Sequence, residues 1–211
     1  MSLEFFKRIL SSIILIPFIY FIIVKGSFIF ITFMFICFLV SIFEWNNISK
    51  EKKYSKIGFI FLFFSFLCIY SFRINSNDDY IFFLFVIVIC ISTDIGGYVF
   101  GKLFKGPKLT KYSPNKTFSG VLGGFTLSFF SMFVFNNIYI EPNLSLKLAI
   151  FTVMISFVSQ LGDIIISYFK RKSNMKDTGN IIPGHGGLLD RIDGMIFALP
   201  FSYIITLTNF Y

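Results

Sequence analysis

Long apolar runs separated by polar stretches dominate the pattern of this 211-residue chain. Seven apolar segments can be drawn: Ile9–Val24, Ser27–Phe43, Ile57–Phe72, Tyr80–Thr93, Gly120–Phe135, Leu146–Phe169 and Met195–Asn209. The runs are continuous rather than alternating, which favours helices over a β-barrel. We therefore predict an all-α, polytopic transmembrane protein of about seven spans. The fourth helix should continue through Tyr98, and the sixth is long enough to protrude, tilt or break.

The basic residues lie between the apolar segments and fall almost entirely on one side of them. If seven spans alternate, only Lys25, Arg73 and Lys147 of the 19 Lys and Arg lie on the second side. The positive-inside rule then predicts a cytoplasmic N-terminus. Composition agrees, since only 14% of residues are charged, against about 25% in soluble domains. The net charge of +8 therefore indicates topology and anionic substrates rather than nucleic-acid binding.

The pattern predicts a single integral membrane domain over residues 1–211. The first apolar segment lacks a small-x-small cleavage site, so we expect it to remain as a span. Two polar loops, about residues 94–119 and 163–193, are rich in Gly and Pro and are predicted to be catalytic. Both should face the cytoplasm, where nucleotides and Mg²⁺ are available.

Two acids lie at or inside apolar segments. Asp94 directly follows the fourth run, and Asp163 is embedded in the sixth. An acid at the centre of a membrane span costs about 2.5–3.5 kcal/mol, so such residues usually have a partner or a function. A bound cation would keep them charged. The structural alternatives are a helix-end acid beside packing glycines for Asp94 and a buried pair with Lys or Arg for Asp163.

After the segments around Asp94 and Asp163, a third motif, Ser167–Asp193, combines basic residues, a glycine-rich turn and acids within 27 residues. Its candidate residues are Lys170, Arg171, Lys176, His185, Gly186, Gly187, Asp190, Arg191 and Asp193. Lys and Arg at a membrane edge can hold a lipid phosphate, and consecutive backbone N–H groups can bind anions. Carboxylate oxygens suit Mg²⁺ carrying a triphosphate. The alternative is a solvated charged loop.

His185 is the only histidine of the chain. One histidine without nearby Cys or further His does not make a zinc site. Stabilisation of the turn and a hydrogen bond to phosphate both remain open. A phosphate monoester nucleophile is already anionic and needs little help from a catalytic base.

With this third motif the chain resembles the phosphatidate cytidylyltransferases, also called CDP-diacylglycerol synthases. Further segments similar to that family are Glu44-Trp45, Thr93-Asp94-x-Gly96-Gly97-Tyr98-x2-Gly101, Ser113-Pro114-x-Lys116-Thr117 and Gly162-Asp163. The chain departs from the family where Phe118 and Ser119 replace a frequent Trp-Glu pair and Asn115 replaces a frequent Lys.

The resemblance implies an enzyme that makes CDP-diacylglycerol and pyrophosphate from CTP and phosphatidic acid in the inner membrane, with its site facing the cytoplasm. It also implies Mg²⁺, with K⁺ as an optional second cation, while a homodimer stays open. The residues expected to take part are Asp190, Lys176 and Asp193 in catalysis; Lys170, Arg171, Lys116, His185, Gly186, Gly187 and Arg191 in substrate binding; and Asp163, Asp190 and Asp94 at the metal.

Three other functions are open to a membrane protein with such loops. A polyprenol or phytol kinase would transfer the γ-phosphate instead. A CDP-alcohol phosphotransferase needs an Asp-Gly-x2-Ala-Arg core, which the chain lacks. A transporter with ion-carrying acids would be expected to show inverted repeats, and the two loops are unlike each other.

Overall fold

The computed structural model describes residues 17–50, 52–75, 80–113, 115–140, 146–179, 181 and 186–208. Its helices are α1 (residues 17–25), α2 (Ser27–Ser49), α3 (Ser55–Asn75), α4 (Tyr80–Phe104), α5 (Phe118–Phe135), α6 (Leu146–Lys172), α7 (Leu189–Ile192) and α8 (Met195–Leu207). A π-helical turn, Asn136–Ile140, follows α5. An isolated antiparallel bridge joins Lys108 and Thr117.

Five helices are long and apolar enough to cross a membrane: Ser27–Ser49, Ser55–Ile74, Tyr80–Phe104, Phe118–Tyr139 and Leu146–Lys172. The helix Met195–Leu207 is apolar but has only 13 residues. The prediction of an all-α polytopic membrane protein is confirmed. As expected, α4 continues beyond Tyr98, whereas α6 runs unbroken for 27 residues. Half of the predicted first span, residues 9–16, lies outside the described residues.

Large apolar side chains cover the outer faces of these helices. Phe28 on α2 is 78% exposed, and Leu122 and Phe130 on α5 are 65% and 63% exposed. Water would penalise apolar surface of this extent, and a soluble monomer rarely carries it. The hydrocarbon core of a bilayer removes that penalty, which explains why so many aromatic residues face outward.

The chain divides into two compact units. The first comprises Met1–Tyr80 and Phe169–Ile192, and the second comprises Ile81–Tyr168 and Asp193–Tyr211. Helix α6 supplies residues to both.

An aromatic cluster organises one end of the first unit. The Trp45 ring lies 5.1 Å from that of Phe169, and the Tyr54 ring lies 4.9 Å from Phe169. The Trp45 indole N–H donates to the carbonyl of Ser55 at 3.1 Å, and Ser173 donates its hydroxyl to the carbonyl of Ile48. These contacts place the α2–α3 connection and the end of α6 at the same end of the unit, as the distribution of Lys and Arg requires.

In the second unit, glycines let α4 and α5 approach closely. A Cβ atom added to Gly96 would overlap the carbonyl oxygen of Gly123, whereas one added to Gly97 would find only the carbonyl of Gly120, 3.7 Å away. Small residues commonly line such crossings in membrane proteins. Thr117 caps the start of α5 by accepting the Gly120 N–H at 3.1 Å.

The two adjacent glycines provide a matched test of this packing. We expect Gly96→Ala to lower the free energy of unfolding by about 1–3 kcal/mol, because the added methyl forces the helices apart. Gly97→Ala should be neutral or stabilising by up to about 1 kcal/mol, since Ala is the better helix former. The measurement is the temperature at which each detergent-solubilised variant loses its monodisperse size-exclusion peak. Equal thermal midpoints for Gly96→Ala and Gly97→Ala would contradict the close approach of α4 and α5 at Gly96.

Candidate active site

Two buried carboxylates organise the loop that follows α6 in the first unit. Glu44 comes from the last two turns of α2 and is fully buried. Asp190 comes from the short helix α7, and its side chain is 6% exposed. Because a buried carboxylate is costly unless it is hydrogen-bonded, the surrounding loop must supply donors to both.

The described residues of this loop donate three hydrogen bonds to Glu44. The Thr178 hydroxyl donates to Oε2 at 2.7 Å, and the backbone N–H groups of Leu188 and Leu189 donate to Oε1 and Oε2, both at 2.8 Å. The last two groups belong to the start of α7, where N–H groups have no partner within the helix. Glu44 therefore connects α2 to both ends of the loop.

Asp190 is held from both sides. Lys170 donates its ammonium to Oδ1 at 2.7 Å, while Oδ2 accepts the N–H groups of Thr178 at 2.7 Å and Gly187 at 3.0 Å. Burial alone would raise the pKa of the Asp190 carboxyl, but Lys170 and the two N–H groups outweigh it. The net pKa therefore lies below the ordinary aspartate value.

The glycines of the third motif make room for these carboxylates. A Cβ atom on Gly187 would overlap the Thr178 hydroxyl, and one on Gly179 would lie 2.9 Å from Glu44 Oε1. Gly186 has a φ of +86°, a conformation that favours glycine, and a Cβ there would lie 2.9 Å from Asp190 Oδ2. Part of the predicted anion-binding turn thus binds anions that belong to the protein itself.

Acid should weaken this loop through Asp190. Because the folded pKa is depressed, the stabilisation is fully present above the unfolded pKa of about 3.9 and is lost as pH falls through the folded value. We expect the difference in melting temperature between the wild type and Asp190→Asn to shrink as the pH falls below the unfolded pKa of about 3.9. Asp177→Asn, which removes an exposed acid of the same loop, is the control. A wild-type–variant difference that persists unchanged to low pH would contradict this role.

The other basic residues predicted in the third motif face outward. Arg171, Lys176 and Arg191 are exposed, and the Arg171 guanidinium donates to the carbonyl of Met175 at 3.3 Å. They are therefore accessible to an anionic ligand. His185 lies outside the described residues.

In the second unit, Lys116 and Asp163 form an ion pair. Their side chains are 26% and 24% exposed, and Ser167 donates its hydroxyl to the other carboxylate oxygen of Asp163 at 3.3 Å. The loop after α4 thereby contacts the C-terminal half of α6. Tyr112 of that loop also packs edge-on against Tyr168, with ring centres 4.8 Å apart.

The remaining two predicted acids have different surroundings. Asp94 on α4 is exposed. Asp193 is buried in the turn after α7 and accepts the N–H of Gly194 at 2.9 Å. The helix opened by Leu189 ends at Ile192, so Asp193 lies beyond it.

The donor chemistry fits Mg²⁺, although no three His, Cys, Asp or Glu side chains cluster as a metal site among the described residues. Mg²⁺ usually takes one or two carboxylates and completes its shell with water and substrate phosphates. Asp163 meets this need because it is partly exposed and, among the described residues, one of its oxygens accepts a single long hydrogen bond of 3.3 Å, from Ser167. Asp190 already holds Lys170 and two N–H groups, so a cation there would share the carboxylate with them.

The sequence interpretation assigned no role to Thr178 and recognised Glu44 only as part of a family-like pair. Glu44 carries the same signal that drew attention to Asp94 and Asp163, namely an acid at the end of an apolar run or inside one. Thr178 has no such signal, because a threonine in a polar loop is ordinary and the acceptor of its shorter hydrogen bond, Glu44, lies 134 positions earlier in the chain.

The fold and the site together define a class of protein. It is a polytopic α-helical membrane protein in which lysines pair with carboxylates and further Lys and Arg side chains are exposed. Comparison with known proteins identifies the family within this class. Residues 57–208 match the profile of the cytidylyltransferase family.

Three relatives are named phosphatidate cytidylyltransferase. That of Rickettsia bellii is 33% identical over 95% of this chain and 90% of its own length. That of Bacillus subtilis is 35% identical over 75% of this chain and 61% of its own length. That of Staphylococcus saprophyticus is 41% identical over 72% of this chain and 55% of its own length. The chain belongs to the cytidylyltransferase family.

Proposed function

We propose that this protein is a membrane nucleotidyltransferase that makes CDP-diacylglycerol from CTP and phosphatidic acid in phospholipid biosynthesis. The observation that carries the proposal is the similarity to the Rickettsia bellii phosphatidate cytidylyltransferase along nearly the whole of both chains. Helices that can cross a bilayer suit a substrate whose acyl chains stay in the membrane.

In the proposed reaction a phosphatidate oxygen attacks the α-phosphorus of CTP in line. The bond from that phosphorus to the oxygen bridging to the β-phosphorus breaks, and pyrophosphate leaves with the electron pair. Both reactants are anions, so the protein must first overcome their repulsion. Positioning and electrostatic stabilisation supply most of the catalysis in phosphoryl transfers of this kind.

Some of the basic side chains are proposed to bind phosphatidic acid and others to bind CTP. Lys170 is held by Asp190 at 2.7 Å and keeps further ammonium hydrogens for a phosphate. Together with the exposed Arg171 and Lys176, it is proposed to bind the lipid phosphate. Lys116 and Arg191 are proposed to contact the triphosphate, with Gly186 and His185 contributing from the loop, while the Gly187 N–H stays on Asp190. Lys176 and Asp193 remain proposed participants in catalysis.

Mg²⁺ is the proposed cofactor, with Asp163, Asp190 and Asp94 as its proposed oxygen ligands and K⁺ as an optional second cation. When bound, Mg²⁺ would neutralise charge on the triphosphate and the leaving pyrophosphate. The proposed location is the inner (cytoplasmic) membrane, with the N-terminus and the site on the cytoplasmic side. The positive-inside rule supports this orientation. A homodimer is compatible with the proposal.

The test uses purified protein in detergent micelles with phosphatidic acid, Mg²⁺ and CTP labelled at the α-phosphorus. We expect label to move into the organic phase with release of pyrophosphate, and EDTA to abolish the transfer. Mg²⁺ added in excess should restore it. Label that stays aqueous as CDP would instead indicate a lipid kinase. Folded protein that turns over no nucleotide would contradict the proposal.

A further inference from the structure

The Thr178 hydroxyl lies between two carboxylates in the first unit. Its oxygen is 2.7 Å from Glu44 Oε2 and 3.1 Å from Asp190 Oδ2. A hydroxyl has a single hydrogen, so it can donate fully to only one of these oxygens at a time. The shorter distance identifies Glu44 as the preferred acceptor, and Thr178 couples the position of one carboxylate to that of the other.

Glu44 lies too deep to touch a substrate directly. Its side chain is completely buried, and its donors among the described residues are the Thr178 hydroxyl and the N–H groups of Leu188 and Leu189. Glu44 can therefore affect the reaction only by positioning the loop to which it is hydrogen-bonded. The same threonine donates its backbone N–H to Asp190 at 2.7 Å, and Asp190 in turn fixes Lys170 at 2.7 Å.

A carboxylate suits this position better than its amide. All three contacts of Glu44 require an acceptor, and they are spread over both of its oxygens. Glutamine has one acceptor oxygen and one NH₂ group, so at least one donor of the loop would face another donor. An unmatched buried donor loses its hydrogen bond and weakens the loop at that point.

We propose that Glu44 is a positioning residue: with Thr178 as the connecting group, it sets the geometry of the Asp190–Lys170 pair that receives the anionic substrate. The predicted changes in kcat rest on the proposed function. The structural part of the inference, the ordering of the loop around Lys176, can be tested without any turnover.

The decisive variants are Thr178→Val, which keeps the shape and removes the hydroxyl, and Thr178→Ser, which keeps the hydroxyl and removes the methyl. We expect Thr178→Val and Glu44→Gln to lower kcat by about 10²-fold, as displacement of a catalytic group by about 1 Å does. The KM for CTP should change little. Thr178→Ser should retain kcat within about 3-fold of wild type, because the hydrogen bond rather than the packing is what matters.

The double variant Glu44→Gln with Thr178→Val should be no worse than the poorer single variant, since both changes break one network. Asn46→Ala, an exposed change on the same helix, is the control and should match wild type. An active Thr178→Val enzyme beside a defective Thr178→Ser enzyme would overturn the proposal. So would kcat losses that multiply in the double variant.

Trypsin cleavage after the exposed Lys176 reports loop order independently of activity. We expect Glu44→Gln and Thr178→Val to be cut faster than wild type, Thr178→Ser and Asn46→Ala. If the wild type transfers no label, the proposed function fails, whereas the digestion still tests the loop. Unchanged cleavage in both of the first two variants would overturn the role of Glu44.

Discussion

Replacing Asp190 by Asn is expected to lower turnover by at least about 10²–10³-fold, while the protein remains in the membrane. Asp190 uses one oxygen for the Lys170 ammonium and the other for the N–H groups of Thr178 and Gly187. Asparagine can keep only one of these two sets of contacts, because its second terminal atom is a donor. Removing one partner of a buried pair also leaves the other charge uncompensated, at a cost of about 3–5 kcal/mol.

The measurement is transfer of label from CTP to lipid by protein that elutes as a single size-exclusion peak. Asp177→Asn removes an exposed acid thirteen positions earlier in the same loop and should retain near wild-type activity. An active Asp190→Asn enzyme would rule out Asp190 as a metal ligand. It would also show that Lys170 can fulfil its proposed role in phosphate binding without the Asp190 carboxylate.

Replacing Asp163 by Asn should produce the second large loss, about 10²-fold in kcat, and should raise the Mg²⁺ concentration needed for half-maximal activity. Asp163 is the candidate metal acid that is both partly exposed and paired with a lysine. Removing its charge weakens any bound divalent cation, because amide oxygens bind Mg²⁺ less strongly than carboxylates do.

Lys116→Gln separates the loss of the ion pair from the loss of the metal. Both variants break the contact between Lys116 and Asp163, but only Asp163→Asn removes a carboxylate. We expect Lys116→Gln to raise the KM for CTP with the Mg²⁺ requirement unchanged. Equal Mg²⁺ requirements in wild type and Asp163→Asn would show that Asp163 serves only as the partner of Lys116.

Composition and run length were sufficient to predict the membrane class. Apolar segments of 14–24 residues with few charges have no stable arrangement in water, so the all-α polytopic fold follows from the sequence. The order of residue types in Ser167–Asp193 was specific enough to indicate the family. Helix ends were predicted less well: α4 was expected to continue through Tyr98, and it extends six residues further, to Phe104.

The roles of individual loop residues depended on contacts between distant parts of the chain. Gly186 and Gly187 were predicted to present N–H groups to a substrate phosphate, yet the Gly187 N–H binds Asp190. Sequence spacing cannot show this, because a backbone N–H is the same in every residue and its partner is chosen by folding. The pairing of Lys116 with Asp163, 47 positions apart, is of the same kind.

The sequence by itself determined that this chain is an α-helical membrane protein of the cytidylyltransferase family, because hydropathy and residue order are local properties. Only the tertiary structure decided that Glu44 and Thr178 belong to the hydrogen-bond network around Asp190. Glu44 precedes Thr178 by 134 positions, and their 2.7 Å hydrogen bond exists only once α2 and the loop after α6 have packed together. A buried carboxylate must find donors wherever the fold brings them, and that requirement selects the partners.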